Sequence, residues 1–148
     1  MKITDILSKN SIFLNIDVTS KKLLFKEISQ QISKKAKVSQ NEILEKLNER
    51  ERLGTTAIGN GVAIPHMKIE NLKQIFSLFF KLVKPIDFSS NDNKGVDLVF
   101  VLVAPEKSQT EHLLALSTIA KFMRNDKNKI QIRQLKNIER IYSYLEQN

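Results

Sequence analysis

The sequence predicts a single α/β domain, a sandwich in which a small mixed β-sheet is flanked by helices on both faces. Three observations carry this. Two runs, "QIFSLFFKLV" and "VDLVFVLVAP", are nearly all apolar and β-prone, as strands buried on both faces must be. Segments with helical apolar spacing stand before and after them. No long linker, internal repeat or low-complexity block divides the chain, so residues 1–148 are read as one domain.

The elements follow in order. "ITDILS" reads as one amphipathic turn, and "IFLNID" alternates well enough for a short strand. "TSKKLLFKEISQQISKKA" places Leu24, Ile28 and Ile32 at four-residue spacing on one helical face, with Thr19 or Ser20 as its cap. "SQNEILEKLNERE" opens on Ser39 and Glu42, an S-x-x-E capping box, with Ile43, Leu44 and Leu47 as its apolar stripe. Gly54 is the expected stop. "TTAI" and "VAIP", separated by "GNG", predict a hairpin. The two buried strands come next, the first closed by Pro85. After Pro105, "TEHLLALSTIAKFMR" predicts a helix capped by Thr110, with Leu113, Leu116, Ala120 and Met123 as its apolar face. "NKIQIRQL" and "NIERIYSYLEQ" predict one or two more short helices.

Composition narrows the function classes. There is no cysteine, which excludes disulfides, thiol catalysis and Cys-based zinc sites. No apolar run approaches the ~20 residues that span a bilayer, and "MKITDILSKNSIF" places Asp5 where a signal peptide needs unbroken apolar sequence. A cytoplasmic protein without membrane insertion is expected. The net charge of +8 raises nucleic acid as a partner. The lysines are scattered along the chain, however, and no reading-helix motif or exposed aromatic series accompanies them, so none is expected.

The densest run of unusual residues is "RERLGTTAIGNGVAIPHMK", with three of the four glycines and one of the two histidines. Pro65 fixes the direction in which His66 leaves the strand. Gly59 and Gly61 permit positive φ and close backbone approach. An imidazole so held has one nitrogen free for chemistry if the other is hydrogen-bonded. The alternative is a buried histidine at the edge of an ordinary hairpin. His112 falls in the first turn of its helix, where unpaired N–H groups favour an anion and disfavour protonation of the ring. It could equally face solvent or cap the helix. Arg50 can grip two phosphoryl oxygens at once, or it can pair with Glu49 or Glu51, and Arg52 is an equally basic neighbour.

Several chemistries lack their parts. Two histidines without cysteine are too few for a zinc centre, so no metal and no cofactor are expected. No G-x-S-x-G elbow and no GxxxxGK[ST] loop is present. A histidine that itself becomes phosphorylated remains, with donors needed around its phosphoryl oxygens.

These residues resemble a known family. "RERLGTTAIGNGVAIPH" is similar to the active-site segment of enzyme IIA of the bacterial phosphotransferase system, fructose/mannitol type. "VDLVFVLVAPEKSQTEHLLALSTIAKFM" is similar to that family's second signature. The form "RERLG-T-IGNGVAIPH-K", with no attached permease segment, most resembles the standalone nitrogen-regulatory branch. The resemblance implies a phosphoryl group on Nε2 of His66, His112 hydrogen-bonding beside it, and Arg50 as the nearby cation. Thr56 would help through its hydroxyl, and Gly59, Gly61 and Pro65 would shape the backbone around the phosphoryl oxygens. The donor implied is a small HPr-type phosphocarrier protein. The function implied is phosphorylation-dependent regulation of a target protein, or else transfer onward to a separate IIB protein. Ile58, Val62 and Met67 are expected to line a shallow apolar docking surface, with Met67 at its rim where relatives carry a small residue.

Overall fold

In the computed structural model, which describes residues 1–148, the sheet has the order β1-β5-β6-β3-β2, and β4 also pairs with β6. The strands are β1 (Ile12–Ile16), β2 (Ala57–Gly59), β3 (Val62–Ala63), β4 (His66–Ile69), β5 (Phe76–Ile86) and β6 (Val96–Pro105). The helices are α1 (Lys21–Ala36), α2 (Gln40–Arg52), α3 (Thr110–Arg124), α4 (Asp126–Gln134) and α5 (Ile138–Gln147). Two short 3-10 turns precede β1. β5 and β6 are antiparallel, while β1 runs parallel to β5 and both β3 and β4 run parallel to β6. The sheet is therefore mixed.

Alternation along β6 divides the core. Val99, Val101 and Val103 pack with Leu24, Ile28 and Ile32 of α1 and with Ile43 and Leu47 of α2. Leu98, Phe100 and Leu102 pack on the other face with Ala115, Ile119 and Met123 of α3, Ile132 of α4 and Ile141 of α5. Successive strand residues point to opposite faces, so a strand covered on both sides must be apolar throughout. The helices on both faces agree with the fold the sequence predicts.

Ser20 caps α1 by accepting a hydrogen bond from Leu23 N (3.2 Å). Four local expectations are corrected. The Ser39 side chain makes no cap bond, so the capping box is not formed, although Glu42 keeps a carboxylate in the positive first turn of α2. Thr110 is the first helical residue of α3, whose cap position is Gln109. Pro85 does not close β5, which runs on to Ile86 across a register shift that tolerates a residue without N–H. Leu113 is 65% exposed. The buried face of α3 is set instead by Ala115, Ile119, Phe122 and Met123, whose spacing also follows one side of a helix.

The turn between β2 and β3 places Asn60 at φ 55° and Gly61 at φ 83°. Positive φ at both central residues is what a tight hairpin needs to match strand twist, and Asn-Gly is the pair that adopts it most readily. β4 pairs with β6 alone, which leaves its other edge free. α2 and α3 lie on opposite faces of the sheet, and β4 brings His66 to the open flank between them.

Candidate functional site

His66 begins β4, opposite Leu102 of β6. Pro65 before it is buried, and its carbonyl accepts a hydrogen bond from Leu102 N (3.0 Å), so the backbone entering His66 is fixed. Both ring nitrogens have partners. His66 Nδ1 lies 2.7 Å from Ile64 O, an acceptor only, so Nδ1 carries the proton and donates. Nε2 then holds the lone pair, and Arg50 Nε–H donates to it at 3.3 Å. Arg50 also donates from Nη1 to Gly54 O (2.9 Å). Burial lowers the His66 pKa below the ordinary histidine value; the bond to Ile64 O opposes this, and the Arg50 charge adds to the lowering. The ring is neutral at neutral pH, with a nucleophilic nitrogen facing a guanidinium.

His112, in the first turn of α3, stands with its ring centroid 5.8 Å from that of His66 at an angle of 47°. Its Nε2 is buried and has no hydrogen-bond partner. Burial lowers its pKa as well, followed by the charges of His66 and Lys68. A buried nitrogen without a partner costs about 1–3 kcal/mol, a cost recovered if an incoming oxygen meets it.

The two histidines and Arg50 line a cleft of 630 Å³, which also receives Lys46, Arg52 and Lys68 and a single carboxylate, Glu49. The balance strongly favours an anion. Thus the structure brings His66, His112 and Arg50 together. It resolves the choice between the neighbouring arginines as well, since Arg50, not Arg52, reaches His66. No group of three or more His, Cys, Asp or Glu residues is arranged to hold a metal ion.

Other expected contributors lie elsewhere. Thr56 is buried, and its hydroxyl donates to Glu51 Oε1 (2.7 Å), so it is committed to α2 instead of the cleft. Gly59 and Gly61 do not approach the His66 ring. Gly61 O accepts from Asp97 N and Leu98 N, whereas His66 pairs four residues further along β6 at Leu102, roughly 13 Å away at strand rise. A Cβ on Gly61 would instead collide with the Arg133 guanidinium, and one on Gly59 would touch Asp92. Their role is to form the hairpin. Val62 is fully buried and Met67 nearly so, leaving Ile58 as the exposed member of that trio. Leu53, which is 85% exposed, lines the cleft, and Leu113 and Leu114, which follow His112 in α3, are exposed as well.

The chain is similar to known proteins over nearly its whole length. A family model described as the phosphoenolpyruvate-dependent sugar phosphotransferase system, EIIA 2, matches residues 5–148. The chain is 41% identical over 145 residues to a nitrogen regulatory protein of Bradyrhizobium diazoefficiens, covering 98% of this chain and 95% of the relative. It is 29% identical to the fructose-specific EIIABC component of the phosphotransferase system of Bacillus subtilis, aligning over 100% of this chain and 24% of that one. Among solved structures, nitrogen regulatory protein IIA-Ntr from Neisseria meningitidis superposes with a TM-score of 0.92 at 34% identity, covering 97% of this chain and 98% of that one.

Proposed function

The chain belongs to the EIIA 2 family of the phosphoenolpyruvate-dependent sugar phosphotransferase system, and from that premise we propose that it is a phosphocarrier whose His66 accepts a phosphoryl group from a phosphohistidine on an HPr-type protein. The carrying observation is the division of labour on the His66 ring. Ile64 O holds Nδ1–H, so Nε2 alone is left to attack. In the transfer, the Nε2 lone pair forms a bond to phosphorus as the donor's P–N bond breaks in line. That electron pair returns to the donor nitrogen, which leaves as a neutral imidazole, while Nδ1–H stays on Ile64 O. Arg50 moves its hydrogen bond from Nε2 to a phosphoryl oxygen, and His112 Nε2, protonated in one neutral tautomer, donates to another. Catalysis is positioning and charge stabilisation, with no other covalent work for the protein.

The likeness to nitrogen regulatory proteins across nearly the whole of both chains supports a regulatory role in the cytoplasm. No helix is long and apolar enough to cross a membrane. A phosphoryl group brings roughly −1.5 to −2 charge to a cleft with several cations, enough to alter what docks there. The weaker likeness to a fructose-specific EIIABC component favours a second reading, in which His66 passes the group to a separate IIB protein.

The test is intact-protein mass after mixing with phosphoenolpyruvate, enzyme I and HPr. Wild type gains one acid-labile phosphoryl group, and a folded His66→Ala variant gains none. Equal phosphorylation of the variant overturns the assignment.

A further inference from the structure

The geometry points to Glu51 as the residue that positions Arg50 against His66. The inference rests on His66 being the reactive residue. Arg50 and Glu51 are adjacent on α2, and adjacent helical residues do not face one another. Their side chains instead grip the following turn at two places. Arg50 Nη1 donates to Gly54 O (2.9 Å). The Glu51 carboxylate accepts from Thr56 N (3.1 and 3.3 Å) and from Thr56 Oγ1 (2.7 Å). Its remaining capacity is taken by Lys21 Nζ, 3.0 Å away at the start of α1.

A carboxylate buried to 8% exposure is costly unless paired and hydrogen-bonded, and this one is both. Lys21 is itself held over the Phe88 ring at 4.7 Å, so the pair is anchored to both helices and to the loop after β5. Thr56 fixes the far end of this turn, and Gly54 O, two residues earlier, tethers Arg50. The Nε of the same guanidinium is then directed at His66 Nε2. Gly54 has no side chain to wedge against its neighbours and its φ is 154°, so the turn has little rigidity of its own. Rigidity comes from the Glu51 carboxylate on Thr56, joined by Thr55, whose Oγ1 donates to Phe88 O (2.7 Å).

The partner of Nδ1 touches this clamp through Thr56, and loosening it would weaken a bond that raises the His66 pKa, the opposite of the rise expected from a freed Arg50. Ile64 is 2% exposed, and its N–H is bonded to Thr56 O within the hairpin. The charges acting on His66 are those of Arg50 and Glu51; His112 stands beside it, and Lys46, Glu49, Arg52 and Lys68 line the same cleft. This gives opposite signs to two roles for Glu51. Acting only as a nearby negative charge, its removal lowers the His66 pKa. Acting through Arg50, its removal lets the guanidinium drift, and the His66 pKa rises.

The experiment is titration of the His66 ring by NMR in wild type, Glu51→Ala, Arg50→Ala and the double variant, with no donor protein present. We expect an upward shift in Glu51→Ala that disappears when the same change is made in the Arg50→Ala background. Phosphoryl acceptance should slow by about ten- to a hundredfold in Glu51→Ala. Thr56→Val, which keeps the carboxylate and deletes one of its donors, should shift His66 in the same direction by less, and it decides the matter if Glu51→Ala fails to fold. A downward or absent shift overturns the positioning role. Failure of wild type to take up phosphoryl would overturn the proposed function while leaving the titration result intact.

Discussion

Arg50 Nε–H occupies, at 3.3 Å, the same His66 nitrogen that must attack phosphorus. The resting site is therefore self-masked: the guanidinium satisfies the lone pair until phosphoryl oxygens offer a better acceptor. A phosphoryl oxygen carries negative charge and a neutral imidazole nitrogen does not, so the guanidinium gains an ion pair in the exchange. Arg50→Gln keeps a donor and loses the charge. Its phosphoryl acceptance should fall by roughly two to three orders of magnitude, read as initial rate with HPr as donor, while far-UV circular dichroism is unchanged.

The same burial sets a pH dependence. The pKa of His66 is lower in the fold than in the unfolded chain, with desolvation as the main cause. The unfolded state then binds the proton first. Stability from this group is fully present above the ordinary histidine value of about 6.5 and is lost as pH falls through the folded value. Acceptance should accordingly stay level from pH 8 to about 6.5 and decline only below it. A decline centred above the ordinary histidine range would contradict this arrangement.

His112 presents a conflict between stability and function. Its Nε2 is buried without a partner in the unmodified protein. Replacement by Leu removes that cost, so His112→Leu should gain about 1 kcal/mol in urea unfolding. The phosphorylated form loses a donor in exchange, and its phosphohistidine should hydrolyse several-fold faster than that of wild type. Measuring both quantities on one preparation separates this from general damage, which would lower stability.

Much of this was legible from residue patterns, and the exceptions have physical reasons. β5 and β6 could be read because burial on both faces demands an unbroken apolar run, and α1 because Leu24, Ile28 and Ile32 repeat at helical spacing. His66, His112 and Arg50 were visible as a rare set of chemistry-bearing side chains. Strand order was not, since pairing between β3, β4 and β6 depends on contacts distant in sequence. Gly59 and Gly61, which the resemblance places around the phosphoryl oxygens, form the β2–β3 turn in this fold, and the strand carries the chain from there to His66 at about 3.3 Å per residue. Lys81 was also missed. It reads as an interruption in an apolar strand, yet its ammonium donates to the carbonyls of Ile132, Arg133 and Leu135 and closes the end of α4.

The hairpin tip has its own acid-sensitive anchor. Asp92 accepts from Asn60 N (2.8 Å), Ser90 Oγ (2.7 Å) and Lys94 N (3.1 Å), and these bonds hold its pKa at about 2. The folded value lies below the unfolded one, so its contribution is present above about pH 4 and is lost as pH falls towards 2. Asp92→Ala should remove part of the acid dependence of unfolding between those limits. Amide exchange should quicken at Asn60 while the core strand β6 stays protected. An unchanged exchange rate at Asn60 would mean that the loop does not hold the hairpin.

Gly61 separates the hairpin from the chemistry. A Cβ there would strike the Arg133 guanidinium and come within 2.9 Å of Asp97 Oδ1, at a φ of 83° that side chains avoid. Arg133 and Asp97 form a two-point ion pair (2.8 and 3.0 Å) that also reaches Asn60 O, so neither can move without breaking bonds. Gly61→Ala should therefore cost about 1–3 kcal/mol in unfolding free energy. The folded fraction should still accept phosphoryl at close to the wild-type rate, because β3 and the Ile64–Pro65 segment separate this turn from His66 along one edge of β6. A folded Gly61→Ala protein with normal stability and lost acceptance would instead place the glycine at the phosphoryl site, and would require the hairpin to fold over the cleft during transfer.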